Sequence, residues 1–318
     1  MKRVAALLLT LLITATALAY STGKLVTIGP LTVTNNEQNP WTNLNLKNKP
    51  ENFQFAIVSD RTGGHRPGIF EAAVGKLNLL QPEFVMSVGD LIEGGTTNVG
   101  RVQDEWKEFN GFVGQLEMPF FYVPGNHDIT NREMVPLWQQ QFGQPYFFFT
   151  YYDVLFIGLN SEDIPDFTVN AGERKVKPGI LGKEQLDWLR GVLAQHADVR
   201  WTVIFVHKPM WEYGEHTNWD DVENLLGDRP RTVFAGHHHK YVMTMVNGRP
   251  YYALATTGGA SNLAGPADGR FDHIVWVTMT SEGPRVANLM LDGIWTADPV
   301  AEARAQQAAA EKLEEVGK

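Results

Sequence analysis

Short apolar runs recur along this chain, and between them apolar residues return at helical spacing. Residues 53–59 form the first run. Pro67 then opens a stretch in which Ile69, Phe70, Ala73, Val74, Leu77 and Leu80 keep one face, which predicts a helix starting at the proline. A second run at 84–88 precedes Val102, Trp106, Phe109, Phe112, Val113 and Leu116, a second amphipathic helix, and a third run follows at 120–123. Strand–helix–strand repetition of this length implies parallel pairing through right-handed crossovers. Residues 146–159 are two β-like runs about a turn near Tyr152-Asp153, so a hairpin. Its aromatics read as core packing. A polar loop is expected at 160–177 and a helix at 182–193, followed by a strand ending at His207. An aromatic linker at 210–219 leads to a short helix at 220–226. Beyond the run at 232–235, residues 241–246, 250–255 and 272–279 are expected as antiparallel strands forming the second half.

The ends of the chain differ from this middle. Residues 1–19 carry Lys2 and Arg3, an apolar stretch, and the small-x-small order Ala17-Leu18-Ala19. That order predicts a secretory signal peptide, with a mature chain starting near Tyr20 and a periplasmic address. Thr14, Thr16 and the short apolar run disfavour a membrane span. Residues 20–52 read as an extension with a strand or hairpin followed by a linker. The main domain is expected over 53–295, with a polar, Ala-rich tail at 296–318.

Composition narrows the chemistry. At 318 residues, with 43% hydrophobic and 20% charged, the chain can bury a large core. A net charge of −9 disfavours an extended nucleic-acid groove, which needs a basic face. There is no cysteine, so disulfides and thiolate metal sites are excluded.

Candidate chemistry sits where the apolar runs stop. Phe55-Ala-Ile-Val-Ser-Asp60, Phe84-Val-Met-Ser-Val-Gly-Asp90, Phe120-Phe-Tyr-Val-Pro-Gly-Asn-His-Asp128, Trp201-Thr-Val-Ile-Phe-Val-His207 and Thr232-Val-Phe-Ala-Gly-His-His-His239 each end in Asp, Asn or His. Any one of these reads equally well as a turn or cap. Five together place oxygen and nitrogen ligands at one end of a sheet, where open α/β folds keep their sites. In an extended loop His237 and His239 point one way and His238 the other, and converging imidazoles suit a transition metal.

In order and approximate spacing these runs resemble the calcineurin-like metallophosphoesterases over about residues 53–295. The shared pattern is Asp60, Gly89-Asp90, Gly125-Asn126-His127-Asp128, His207 and Gly236-His237-His238-His239. The resemblance implies an α/β fold of two packed mixed β-sheets flanked by helices, a four-layer α/β/β/α sandwich. It implies two divalent or mixed-valence transition metal ions (Mn, Fe or Zn) and a small phosphorylated substrate. Asp90 would bridge the metals, Asn126, His207 and His237 would complete one, and Asp60 and His239 the other. His127 would assist the leaving oxygen, with Asp128 orienting its imidazole. Such a pair of ions clamps a phosphate and acidifies a shared water.

One departure stands out. The family pattern Asp-x-His here reads Asp60-Arg61-Thr62. Two nearby residues offer compensation. Glu93 lies three past Asp90, where the purple acid phosphatases of the same superfamily put a ligating Tyr, and it is the preferred substitute. His65 and Arg66 alternatively meet the substrate, Arg with a planar fork for phosphate. The plainer reading leaves Glu93 and His65 as surface loop residues. Two functions follow: an exported dinuclear phosphoesterase, or a degenerate relative that binds a phosphorylated ligand without turnover.

Overall fold

The computed structural model describes residues 24–28, 31–35, 51–163, 179–294 and Lys312. The expected signal peptide, the linker, most of the 160–177 loop and the tail other than Lys312 lie outside the described residues. The chain divides into two compact units, 1–50 and 51–318. In the first, β1 (Lys24–Ile28) pairs antiparallel with β2 (Leu31–Asn35), so the extension contains a hairpin.

The second unit follows the alternation of the sequence. It begins with β3 (Phe53–Val58), α1 (Ile69–Leu80), β4 (Val85–Ser87), α2 (Val99–Val113), β5 (Phe120–Phe121) and α3 (Met134–Phe142). Helix α1 starts two residues after Pro67, because Gly68 in the left-handed conformation still belongs to the turn. Helix α2 is capped by the Asn98 side chain, which accepts from the Arg101 N–H at 3.1 Å. Next come β6 (Phe147–Tyr151) and β7 (Val154–Leu159). Tyr152 and Asp153 between them both have positive φ, the two-residue turn that suits a twisted hairpin. The unit closes with α4 (Lys183–Gln195), β8 (Trp201–Val206), α5 (Trp219–Leu226), β9 (Arg231–Ala235), β10 (Val242–Val246), β11 (Arg249–Ala253), β12 (His273–Thr280) and β13 (Gly283–Met290).

These strands form two mixed sheets, ordered β13-β12-β3-β4-β5 and β10-β11-β9-β8-β7-β6. Strands β3, β4 and β5 run parallel, as do β7, β8, β9 and β11. The period-two pleat sends alternate side chains to opposite faces. Phe53, Phe55 and Ile57 of β3 meet Phe156, Phe205 and Phe234 between the sheets, while Ala56 and Val58 face the α1–α3 layer. On the other sheet Leu155, Ile157 and Leu159 turn outward to α4 and α5. The result is the expected four-layer sandwich. The hairpin aromatics are core on one face only: Phe147, Phe149 and Tyr151 pack against the inter-sheet cluster, with Phe149 stacked on Phe156 at 4.8 Å, whereas Phe148 and Tyr152 are exposed.

Two expectations fail in detail. Residues 272–279 do form a strand, but it pairs with β3 in the first sheet instead of joining the second half. Strand β11 is parallel to β9 and antiparallel only to β10. Alternation marks a strand without naming its neighbour. Helix α3 and strand β13 were not anticipated; the burial of Met134 and Trp138 against Trp106 fixes the helix. No helix among the described residues is long and apolar enough to cross a membrane.

Candidate metal centre

The parallel strands β3, β4 and β5 of one sheet and β8 and β9 of the other all end on the same site. Asp60 follows β3, Asp90 follows β4, and Asn126, His127 and Asp128 follow β5. His207 follows β8, and His237 and His239 follow β9. Asp90, His237 and His239 have φ of 57°, 74° and 51°. Left-handed backbone is uncommon outside glycine and gathers at functional sites. The His loop is therefore tightly turned, not extended. Even so, His237 and His239 face the site while His238 turns away, its Nε2 3.2 Å from Glu212 Oε2.

Two groups of ligand atoms result, each with all members within 4.8 Å of one another: Asp60, Asp90 and His239, and Asp90, His207 and His237. Asp90 belongs to both. Asn126 joins the second group, its Oδ1 3.1 Å from His207 Nε2. Backbone approaches make this convergence possible. A Cβ on Gly236 would lie 2.3 Å from Asp60 Oδ2, and one on Gly125 would lie 2.3 Å from Asp90 Oδ1. Only glycine permits either contact.

Orientation comes from the main chain. His207 Nδ1 lies 2.8 Å from the Val88 carbonyl and His239 Nδ1 2.7 Å from the Ala260 carbonyl. Those carbonyls accept the Nδ1 protons, which leaves both Nε2 atoms turned inward. His207 Nε2 sits 3.2 Å from Asp90 Oδ2 and 3.2 Å from His237 Nδ1. His239 Nε2 is 3.4 Å from Asp60 Oδ1. Acceptor atoms thus converge from several directions on two small volumes. The carboxylates are further pinned by donors on their outer sides: Ser59 Oγ and His237 N on Asp60, and His127 N on Asp90.

The electrostatics follow from burial of like groups together. Asp60 and Asp90 are almost wholly buried. Burial alone would raise their pKa values. For Asp60 the His239 hydrogen bond and the His207 charge outweigh it, and for Asp90 the His207 charge and hydrogen bond do so, so both stay below the usual range. Burial would depress His207, but Asp90 overrides it and lifts the imidazole to about 9. His237 is held at about 3 by burial and the neighbouring His207 charge. A site that binds one proton tightly between carboxylate and imidazole offers the same atoms to a cation.

Several sequence-predicted residues have other work. Asp128 does not touch the His127 ring. Its carboxylate accepts from Gly125 N at 2.8 Å, Leu91 N at 2.8 Å and Ile92 N at 3.1 Å, tying two site loops together. Burial and the Asp90 charge nevertheless push it up to about 7, against those three donors. The Glu93 carbonyl orients His127 instead, 2.6 Å from Nδ1, leaving His127 Nε2 4.0 Å from Asp90 Oδ2. The Glu93 carboxylate stands outside both groups. It accepts from Gly64 N at 3.0 Å and from His65 N at 2.7 Å, with His65 Nδ1 at 3.2 Å. Arg66 is spent on Asp272 and the Gly259 carbonyl, not held free for a substrate. Thr62 is buried, and among the described residues no imidazole takes the place of the absent one. The sequence reading also missed the run Thr256-Thr-Gly-Gly-Ala260 after β11, whose carbonyl holds His239; two threonines and two glycines after a strand were the available signal.

The geometry agrees with comparisons to other proteins. Over 180 residues the chain is 28% identical to a probable glycerophosphodiester phosphodiesterase, GpdQ, of Arcobacter nitrofigilis, covering 52% of this chain and 60% of that one. Over 184 residues it is 28% identical to the serine/threonine-protein phosphatase CPPED1 of Mus musculus, covering 53% and 56%. The chain thus spans less than two thirds of the length of these relatives. Among solved structures, a dimetal phosphatase from Danio rerio superposes with TM-score 0.50 at 13% identity, covering 75% of this chain and 99% of that one. The purple acid phosphatase PPD1 of yellow lupin gives 0.56 at 14%, covering 77% and 52%. At such identities the structures show the shared fold alone. The sequence profile of the calcineurin-like phosphoesterases matches residues 53–241, more than half of the chain. With the sandwich and the strand-end groups already in place, that match makes this chain a member of the calcineurin-like phosphoesterase family.

Proposed function

We propose that the chain is an exported two-metal phosphoesterase that hydrolyses small phosphomonoesters or phosphodiesters. The observation that carries this is the sharing of Asp90 between two groups of inward-facing ligand atoms. The donor set fits metal ions: carboxylate and amide oxygens with imidazole nitrogens, two of the rings (His207 and His239) held by carbonyls at Nδ1 with Nε2 turned inward, suit Mn, Fe or Zn. Asp60, Asp90 and His239 would hold the first ion, and Asp90, Asn126, His207 and His237 the second. Two such ions supply neutralisation of the phosphate and acidification of water.

The chain's own residues do the rest. The left-handed turn at Asp90 and the N–H of His127 aim the shared carboxylate. The Glu93 carbonyl accepts the His127 Nδ1 proton and turns Nε2 toward the site, so when the ring is the imidazolium its Nε2 proton can pass to the departing oxygen, leaving the neutral Nδ1–H form. Asp128 keeps the loops bearing Asp90 and His127 in register. The relatives named as phosphodiesterase and phosphatase support this class of substrate. The order of residues 1–19 supports export, and a native protein retaining Met1 would remove that part.

Elemental analysis together with a panel of aryl and alkyl phosphate esters tests the activity. Two ions per chain and metal-dependent hydrolysis are expected. His127→Ala should lower turnover of alkyl esters by about 10²–10⁴-fold and of nitrophenyl esters far less. Equal losses on both would assign His127 a positioning role. A single bound ion without turnover would favour a protein that only binds phosphorylated ligands, the reading that Thr62 at the histidine position brings forward.

A further inference from the structure

We infer that Arg66 is a positioning residue for His239, acting through Asp272 and the loop at 256–260; this rests on the two-metal reading above. The segment that departs from the family pattern thus carries a brace where a ligand is missing. Arg66 donates Nη1 to Asp272 Oδ2 at 2.8 Å and Nη2 to Asp272 Oδ1 at 2.5 Å, a two-point fork. Its Nε donates to the Gly259 carbonyl at 2.9 Å, and its main-chain N–H to the Gly258 carbonyl at 2.7 Å. Asp272 Oδ1 also accepts from Thr256 Oγ1 at 2.8 Å and Gly258 N at 3.3 Å. Thr256, Gly258 and Gly259 of this loop are therefore tied to the brace, while Thr257 N and Gly259 N each donate to the Asp60 carbonyl at 3.0 Å and anchor the loop beside that ligand. Ala260, at the end of the loop, offers the carbonyl that accepts the His239 Nδ1 proton at 2.7 Å.

There is little slack in this arrangement. A Cβ on Gly259 would lie 2.6 Å from the Thr62 carbonyl and 3.0 Å from His239 Cε1. If the loop shifts, Ala260 moves off His239 Nδ1. The ring then loses the partner that fixes its tautomer and turns Nε2 toward Asp60. The second group does not use this path, since His207 is oriented by Val88.

The test compares wild type with Arg66→Ala, Arg66→Lys and Asp272→Asn in the full chain, using manganese(II) as probe. Wild type should bind two ions. Arg66→Ala should weaken one of them by about 10–100-fold, the usual cost of removing a group that orients a ligand, and leave the other unchanged. Arg66→Lys, which keeps the charge but not the fork, should fall between. Nitrogen-15 imidazole spectra of the metal-free proteins, taken at a pH high enough that the His239 ring is neutral, give a readout that needs no metal: His239 should be the Nδ1–H tautomer in wild type and a mixture in Arg66→Ala, with His207 unaltered. Failure of wild type to bind two ions would count against the two-metal reading, while the spectra still decide the role of Arg66. An unchanged His239 spectrum, or equal weakening of both ions, would overturn the inference.

Discussion

The strongest quantitative consequence of the site lies in a proton. In the metal-free chain His207 gives Nδ1–H to Val88, so its second proton must sit on Nε2, 3.2 Å from Asp90 Oδ2. A metal needs that same nitrogen as a lone pair, so binding expels the proton. His207 is a base whose pKa is raised to about 9 by Asp90. Its protonated form is favoured below that value, so affinity is complete above pH 9 and falls tenfold per unit beneath it. At pH 7.5 the gap is about 1.5 units, and at 1.36 kcal/mol per unit the competing proton costs about 2 kcal/mol, or about 30-fold in affinity. His237, held at about 3, is neutral throughout and releases nothing. His239→Ala would leave this group as the one intact site. Calorimetry with manganese(II) in buffers of different ionisation enthalpy should then count close to one proton released at pH 7.5, and well under half of one at pH 9.5. Tight binding with no proton released at pH 7.5 would refute the reasoning.

Two further expectations use other parts of the fold. Burial holds His273 of β12 at about 4, so the unfolded chain takes up the proton first as pH falls from 6.5. Stability is therefore complete above 6.5 and declines toward pH 4 by up to about 3 kcal/mol. His273→Gln should flatten the acid limb of urea midpoints against pH, and an unaltered limb would exclude this source. Gly236→Ala places a Cβ 2.3 Å from Asp60 Oδ2; it should cost about 1–3 kcal/mol by overpacking and reduce metal content at the Asp60 group. A variant within about 0.5 kcal/mol of wild type and fully loaded would show that Asp60 can give way.

The strands and the site were legible for related reasons. A pleat repeats every two residues, so apolar runs such as 53–59 announce buried strands, and the residue that follows stands at the sheet's end. Asp60, Asp90, Asn126, His207, His237 and His239 were found in that way, and the structure brings them together. Orientation was not legible, because it is set by carbonyls. Val88, Ala260 and the Glu93 main chain carry no mark in the side-chain alphabet. Asp128 and Arg66 were misread for the same reason: an acid beside a histidine, or an arginine in a loop, names a charge but not its partner. Strand β12 shows the limit for the fold. Its alternation is plain, yet it crosses to β3 because Val275, Val277 and Met279 fill the space between the sheets.

Each group of ligands draws on both layers of strands: Asp60 and Asp90 from one sheet, His207, His237 and His239 from the other. An ion bound there would be a cross-link as well as a cofactor. This chain contains no cysteine, so the seam between its sheets, lined by Phe55, Phe84, Phe156 and Phe205, has no covalent stitch. Any opening that parts the sheets would also strip a bound ion of its ligands. At a thousand times its dissociation constant, one such ion adds about 4 kcal/mol against that opening. Chelation should therefore do more than silence the site: it should loosen the seam itself, and make proteolytic lifetime a function of available metal.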